Sequence, residues 1–324
     1  MLRIPGFIDI GTEISGGNWK TISRRAVKNG YVSLIAAPSD NEVFSEKAQF
    51  TEALEEASRD AVCDYAKFGM ITPENIRSME DWADEVPAAL VNFPAFREAD
   101  TFAQMNLLTR LFSRWPVQKP ICVMGGESQI GSAIFMAQVH QRKVHVCSVT
   151  TRAELEMIDE ARQSGIAVTC DVHPLSLMLS AEDPAKAKGP LRRMGTEDDR
   201  QALWQHIRNI DCFSTSGLTF SAGNNGAGFN TMLPLLLSMR NSEMLTTEDI
   251  LLRCCVNPAR LFGIRLDPQT VVEIDDSLPV DGQEKQNFVR SVRLHGQLVY
   301  TAEGFVPRNP FKPFQTSRIL GRQA

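Results

Sequence analysis

Residues 144–174 read VHVCSVTTRAELEMIDEARQSGIAVTCDVHP. VHVCSVT (144–150) and AVTCDVHP (167–174) are short runs apolar on both faces, as in strands covered on both sides. Between them Thr151-Arg152-Ala153-Glu154 has the form of a capping box, in which hydroxyl and carboxylate satisfy each other's free backbone N–H groups. It opens a helix that runs to Ser164. The unit is strand, helix, strand, and it repeats in both directions. Upstream, FIDI (7–10), YVSLIAAP (31–38), CDYAKFGM (63–70), AALVNF (88–93) and KPICVMG (119–125) are strands. They alternate with helical stretches at 21–30, 45–62, 76–86, 99–115 and 129–142. Downstream, a helix at 197–209 leads into IDCFSTSG (210–217). Eight such strands predict a parallel α/β fold, a (β/α)8 TIM barrel over residues 1–264. Two further helices, around 231–243 and 247–262, complete it. VVEID (271–275) and SVRLHGQLVYTAEGFV (291–306) alternate apolar and polar residues, which predicts a small C-terminal β extension over 265–306. Residues 307–324 read as a tail or linker.

The composition narrows the function. The 324 residues carry 34 Lys+Arg against 39 Asp+Glu, a formal charge of −5, with 43% hydrophobic residues. That is a globular composition without the basic stripe that nucleic acid demands. No apolar run is long enough to span a bilayer, and MLRIPGFIDIG lacks the succession of a secretory signal, so a cytoplasmic protein is expected. Seven scattered cysteines fit reduced thiols.

In such a barrel, chemistry sits at the carboxyl ends of the strands. A hydrolytic metal centre needs three or four His, Asp, Glu or Cys ligands converging there. The strand ends offer instead Asp9-Ile10-Gly11-Thr12-Glu13, Pro38-Ser39-Asp40, Val91-Asn92-Phe93, Met124-Gly125-Gly126, Cys147-Ser148, Asp171-Val172-His173-Pro174 and Ser216-Gly217-Leu218. Most of these are not metal ligands.

PGFIDIGTEISGG (5–17), RKVHVCSVTTRAELEMIDEARQSGIAVTCDVHPLSLML (142–179), ALWQHIRNIDCFSTSG (202–217), TMLPLLLS (231–238) and VNPARLFGI (256–264) resemble dihydroorotases of the amidohydrolase superfamily. They look most like the dihydroorotase domain of CAD-type multifunctional pyrimidine-synthesis proteins. The resemblance implies an amidohydrolase-type barrel, yet every active-site motif departs from it. The family's first-strand histidine ligands fall at Gly11 and Glu13, and its substrate-holding arginine at Ser15. The second-strand asparagine falls at Ser39, the bridging carboxylated lysine at Val91, and the fifth- and sixth-strand histidines at Met124 and Ser148. The seventh-strand histidine falls at Leu175. The eighth-strand Asp-His-Ala-Pro-His becomes 216–220, with Ser216 for the catalytic aspartate and Phe220 for the last histidine. Dihydroorotases activate water on zinc, with that aspartate as proton acceptor. The resemblance therefore implies a catalytically inactive, dihydroorotase-like domain of the kind found in fungal CAD-like multifunctional proteins, with no zinc and no other cofactor. It further implies a pseudoenzyme scaffold that dimerises with itself, tethered between carbamoyl phosphate synthetase and aspartate transcarbamoylase domains.

Sharper readings compete with this one. Asp9, Glu13, Cys147, Asp171 and His173 could form a relic or rebuilt metal site, but His173 lies two positions before the family's ligand, roughly 7 Å along an extended strand. Cys147 or Ser148 with His173 could form a nucleophilic pair, though nothing visible orients the base. The vacated mouth could bind a pathway metabolite, against which stand Ser15 and Ser39 in place of the family's substrate-binding groups. A metal-independent hydrolase is the remaining alternative. For Cys254-Cys255, burial is the plainer reading, for GNNGAG (223–228) a loop, and for Asp60 a solvated helix face. His140 and His145 are expected to face solvent or be locally satisfied, and His206 and His295 stand in no motif.

Overall fold

The computed structural model describes residues 1–14, 18–37, 44, 46–93, 101–183, 193–215, 228–280 and 287–306, with backbone only at 101–104. After a short strand, β1 (Leu2–Ile4), strands and helices alternate: β2 (Phe7–Glu13), α1 (Trp19–Lys28), β3 (Tyr31–Ala37), α2 (Lys47–Asp60), β4 (Asp64–Lys67) and β5 (Gly69–Met70). There follow α3 (Met79–Trp82), β6 (Ala89–Asn92), α4 (Thr101–Arg114), β7 (Ile121–Met124), α5 (Glu127–His140), β8 (Val144–Val146), α6 (Arg152–Gln163), β9 (Val168–Val172), α7 (Glu197–Gln205) and β10 (Cys212–Phe213). The capping box forms as expected: Thr151 Oγ1 accepts from the Glu154 N–H at 3.2 Å, and Glu154 Oε2 accepts from the Thr151 N–H at 3.1 Å.

β2, β3 and β4 make one parallel ladder, and β5 to β10 make another, each in chain order. The expected third strand is thus divided. The Phe68 N–H donates to the Ala36 carbonyl and the Gly69 N–H to the Ala88 carbonyl, so the chain leaves one neighbour for the other between these residues. Gly69 permits the step because a Cβ there would stand 2.4 Å from the Trp82 ring. At the other seam, between β10 and β2, the buried Asp9 carboxylate accepts from the Thr215 N–H at 2.8 Å and the Thr215 hydroxyl at 2.6 Å.

Strand alternation sorts side chains into two clusters. Phe7, Leu34, Tyr65, Val91, Val123, Val146 and Cys170 pack outward with helix residues such as Leu108, Leu111, Ile130 and Ile158. Residues of opposite parity, Ile8, Ile10, Ile35, Ala66, Leu90, Cys122, Cys147 and Cys212, form a smaller inner cluster with Phe262 and Ile264. All seven cysteines are free and buried.

The single helix expected over 247–262 is three pieces. α8 (Phe229–Asn241) precedes α9 (Thr247–Leu251), a π-helical stretch at Leu252–Val256, and α10 (Asn257–Phe262). Pro258 has no N–H for the carbonyl four residues back, which favours the wider turn at this point. The C-terminal sheet is antiparallel as expected, with β11 (Val271–Ile274), β12 (Val289–Leu294), β13 (Gln297–Thr301) and β14 (Gly304–Phe305). Its edge comes from the other end of the chain: β1 pairs antiparallel with β11, so the first residues belong to this sheet and not to the parallel array. The 307–324 tail lies outside the described residues.

Candidate functional site

Among the described residues, the carboxyl ends of the parallel strands carry few groups able to bind a catalytic metal. Gly11 is a bulge residue in the β2–β3 pairing, with φ of +119°, and it displaces the side chains that follow. Thr12 turns back to donate its hydroxyl to Asp9. Glu13 is half-buried. Met124 packs against the inner cluster, and Leu175 is half-buried in a 3-10 turn after β9. Val91 lies in the outer cluster among the helices, so the inward residue at this strand end is its neighbour Asn92. Ser148 follows β8 with φ of +57°, and its N–H donates to Asp171 Oδ1 at 3.2 Å. Ser15, Ser39, Ser216, Phe220 and the Gly-rich loop up to 227 lie outside the described residues. A glycine, a methionine, a valine, a leucine and a serine at these positions do not make the donor set of a hydrolytic zinc centre.

Of the proposed relic ligands, Cys147 and Asp171 come together, while Asp9 and His173 are engaged in hydrogen bonds of their own. Asp9 alternates with Ile8 and Ile10 of the inner cluster and so faces the other way, where it holds Thr12 and Thr215. Burial raises its pKa above the usual carboxylate value, against the lowering effect of these hydrogen bonds. His173 is buried, and its Nδ1 accepts the Leu175 N–H at 3.0 Å, which makes it a cap of the turn. Nε2 must then carry the proton, and it meets no partner among the described residues. Burial lowers the His173 pKa to about 3, so the ring is neutral.

What the structure does bring together is His145, Cys147 and Asp171, all buried. The registers of β8 and β9 place His145 beside Thr169, and the next inward pair is Cys147 and Asp171. His145 Nδ1 lies 2.9 Å from Thr169 Oγ1 and Nε2 lies 3.0 Å from Asp171 Oδ2. Asp171 Oδ1 also accepts the Ser214 hydroxyl at 2.5 Å. Contact with the Cys122 thiol and burial push the Cys147 thiol well above its usual pKa. A nucleophilic cysteine needs the opposite shift, which counts against a Cys147–His173 pair. The expectation that His145 faces solvent or is locally satisfied misses its place in this group: it is buried and paired to the next strand, and alternation across VHVC and VTCD carried the signal.

Other expectations fall on described residues. Cys254 and Cys255 are buried in the π-helical stretch, their thiols pushed up by burial. Asp60 is exposed on α2. His206 meets Asp159 at 2.7 Å. His295, which stands in no motif, bridges two carboxylates: Nδ1 to Asp267 at 2.7 Å and Nε2 to Asp64 at 3.0 Å. No helix among the described residues is long and apolar enough to cross a membrane.

No protein-family model matches the chain. The multifunctional protein CAD of Squalus acanthias is 29% identical over 93% of this chain, which spans 15% of that protein. The multifunctional protein pyrABCN of Emericella nidulans is 26% identical over 87% of the chain, spanning 13% of that protein. Among solved structures, the inactive dihydroorotase-like domain of the Chaetomium thermophilum CAD-like multifunctional protein superposes with a TM-score of 0.84 at 24% identity, covering 96% of this chain and 98% of that domain. The chain is thus similar to dihydroorotase-like domains of CAD-like proteins, and it spans a small part of the multifunctional relatives it matches.

Proposed function

From this similarity we propose that the chain is a catalytically inactive dihydroorotase-like domain, a closed (β/α)8 barrel of the amidohydrolase type retained for architecture. One observation carries the reading: the parallel frame is kept while, of the positions that would hold a hydrolytic zinc, Glu13 alone keeps a donor beside Gly11, Met124, Ser148 and Leu175. Without ligands there is no metal to lower the pKa of water, and bulk water is a poor nucleophile. No step of dihydroorotate hydrolysis is derivable from these residues, and the mouth holds no catalytic zinc.

In this reading the domain sits in a cytoplasmic multifunctional polypeptide. It dimerises with a second copy and sets the spacing of tethered carbamoyl phosphate synthetase and aspartate transcarbamoylase domains. The order of the parallel strands and the seam held by Asp9 support a rigid element suited to that task. The test is to excise the segment from its parent polypeptide and measure assembly by sedimentation, together with carbamoyl aspartate formation. Loss of assembly or of coupled flux is expected, and unaltered assembly and flux would overturn the scaffold role.

A second reading, a ligand-sensing mouth, is favoured by two buried inward polar atoms without a partner among the described residues, Asn92 Oδ1 and His173 Nε2. A buried unpaired donor and acceptor are groups a ligand can satisfy. Calorimetry against dihydroorotate, carbamoyl aspartate and nucleotides tests it, and heats equal to dilution across the set would end it.

A further inference from the structure

One helix of the outer layer turns an uncharged face to solvent. A surface helix normally directs charge outward, as α1 does with Lys20, Arg24 and Lys28. After Glu127, α5 carries no Asp, Glu, Lys or Arg. On its outward side stand Phe135 and Val139, 55% and 56% exposed, in line with Ser132 and Ser128 of the preceding turns.

We propose that α5 is the centre of a two-fold interface with a second copy of this chain, the two α5 helices running parallel along the axis. The inference rests on the dimer included in the proposed function and names the surface that makes it.

Spacing identifies the partner. Ser128, Ser132, Phe135 and Val139 follow one another at steps of four, three and four residues. At 3.6 residues per turn they form one stripe, the a/d seam of a parallel helix pair, with β-branched Val139 at an a position as two-stranded pairs prefer. Such a seam is matched by a helix with the same spacing, and a two-fold supplies one. Phe135 then meets Phe135 on the axis, where two rings pack edge-to-face or offset, and Val139 meets Val139. Ser128, Gly131 and Ser132 are small and let the helix axes approach.

Charge also selects a second copy. α4 flanks α5 on one side, with the Thr109 hydroxyl 4.0 Å from Met136 Sδ. α6 flanks it on the other, where a Cβ on Gly131 would stand 3.5 Å from Met157 Sδ. α4 exposes Arg110 and Arg114 and has no acidic residue, and Arg110 reaches Glu80 only at 3.9 Å. The exposed charges of α6 are Glu156 and Glu160, while Arg152 and Arg162 are half-buried and tied to Asp198 and Asp211. A two-fold along α5 exchanges the two sides, so the basic α4 of each copy faces the acidic α6 of the other. An axis across α5 would set α6 against α6 and bring like charges together.

The area suffices for a dimer of modest affinity. The strip is about 21 Å long at about 1.5 Å per residue, and three helices at a spacing of about 10 Å make it about 30 Å wide. That allows about 600 Å² per copy, or about 1,200 Å² in all, the lower edge of a stable interface. Association in the micromolar range is expected.

The test is sedimentation velocity on the native chain and on Phe135→Glu, from about 1 to 100 µM. The native chain should pass from monomer toward dimer across that range. Phe135→Glu should weaken association at least about tenfold, with far-UV circular dichroism and melting of the monomer unchanged, because this side chain is exposed in the single chain. Ser132→Cys reads the axis directly. All seven native cysteines are buried, so the new thiol is the accessible one, and mild oxidation should join two copies across the seam. Glu52→Cys, exposed on α2, should join them far more slowly. A native dimer that Phe135→Glu leaves intact, or a Ser132→Cys chain that links no faster than Glu52→Cys, would overturn this interface and leave the dimer of the proposed function standing. A native chain that stays monomeric to about 100 µM would overturn both. Unaltered flux after excision from the parent polypeptide would overturn the scaffold role and leave this interface untouched.

Discussion

Replacing Asp9 by alanine removes the acceptor that joins the last parallel strand to the first. Three buried donors lose their partner: the Thr215 N–H at 2.8 Å, the Thr215 hydroxyl at 2.6 Å, and the Thr12 hydroxyl. A buried donor left unsatisfied costs about 1–3 kcal/mol. The two hydroxyls can rotate toward other acceptors, whereas the Thr215 N–H cannot. Against this loss, the native protein bears the desolvation of the carboxylate, which raises its pKa. The balance is a destabilisation of about 3 kcal/mol, or, for a chain of 324 residues, a melting temperature lower by roughly 4–5 °C. Asp9→Asn, which keeps one oxygen, should cost about half as much. The assay is thermal unfolding at pH 7 followed by circular dichroism, with hydrogen exchange of the Thr215 amide as a local readout. The pH dependence has a definite sign. A folded-state pKa raised above 3.8 means the folded protein holds this proton more tightly, so the contribution is full below 3.8 and is lost as pH rises through the folded value. The gap between the native chain and Asp9→Asn should therefore narrow as pH rises from about 4 toward neutrality. An Asp9→Ala chain that melts with the native one, its Thr215 amide equally protected, would refute the claim that this carboxylate holds the seam.

Three further perturbations test other parts of the structure. His295, between Asp64 and Asp267, has its pKa raised to about 9, so its clamp is fully present below 6.5 and lost as pH rises through about 9. With the side chain 49% exposed and screened by solvent, it contributes about 1 kcal/mol. The melting difference between native and His295→Gln should vanish above that pH and shrink in high salt, and a pH-independent difference would contradict the assignment. Thr151→Ala removes the N-cap of α6 and should lower stability by about 1 kcal/mol in urea unfolding, whereas an unchanged midpoint would show the cap to be redundant. Gly69→Ala drives a Cβ into the Trp82 ring, 2.4 Å away, and should cost about 1–3 kcal/mol; a neutral result would mean that Trp82 can move aside freely.

The parallel array was legible because its signal is local. Apolar runs, helical periods and the Thr151–Glu154 box each report their own segment. What sequence could not supply was long-range pairing. Nothing in LRI at 2–4 announces a partner 270 residues away, and β1 joins β11 through backbone hydrogen bonds that any side chains allow. The division of the third strand depends on where the Trp82 ring packs, and the π-helical turn on how Pro258 is accommodated. At the candidate site, the missing ligands at Gly11, Met124, Ser148 and Leu175 were readable as residue types. Their facing was not. Val91 turned out to lie among the helices, and the bulge at Gly11 reset the parity of the strand that carries it. His145 was missed because a histidine between two valines reads as local, and its partners Thr169 and Asp171 sit on the next strand.

The most direct test of the account is dihydroorotate turnover by the purified chain, measured in both the ring-closing and ring-opening directions with zinc supplied in excess. The account predicts no rate above the uncatalysed reaction in either direction, whether or not the chain retains metal. Turnover that tracks bound metal and falls on substitution of Glu13, Asp171 or His173 would contradict it.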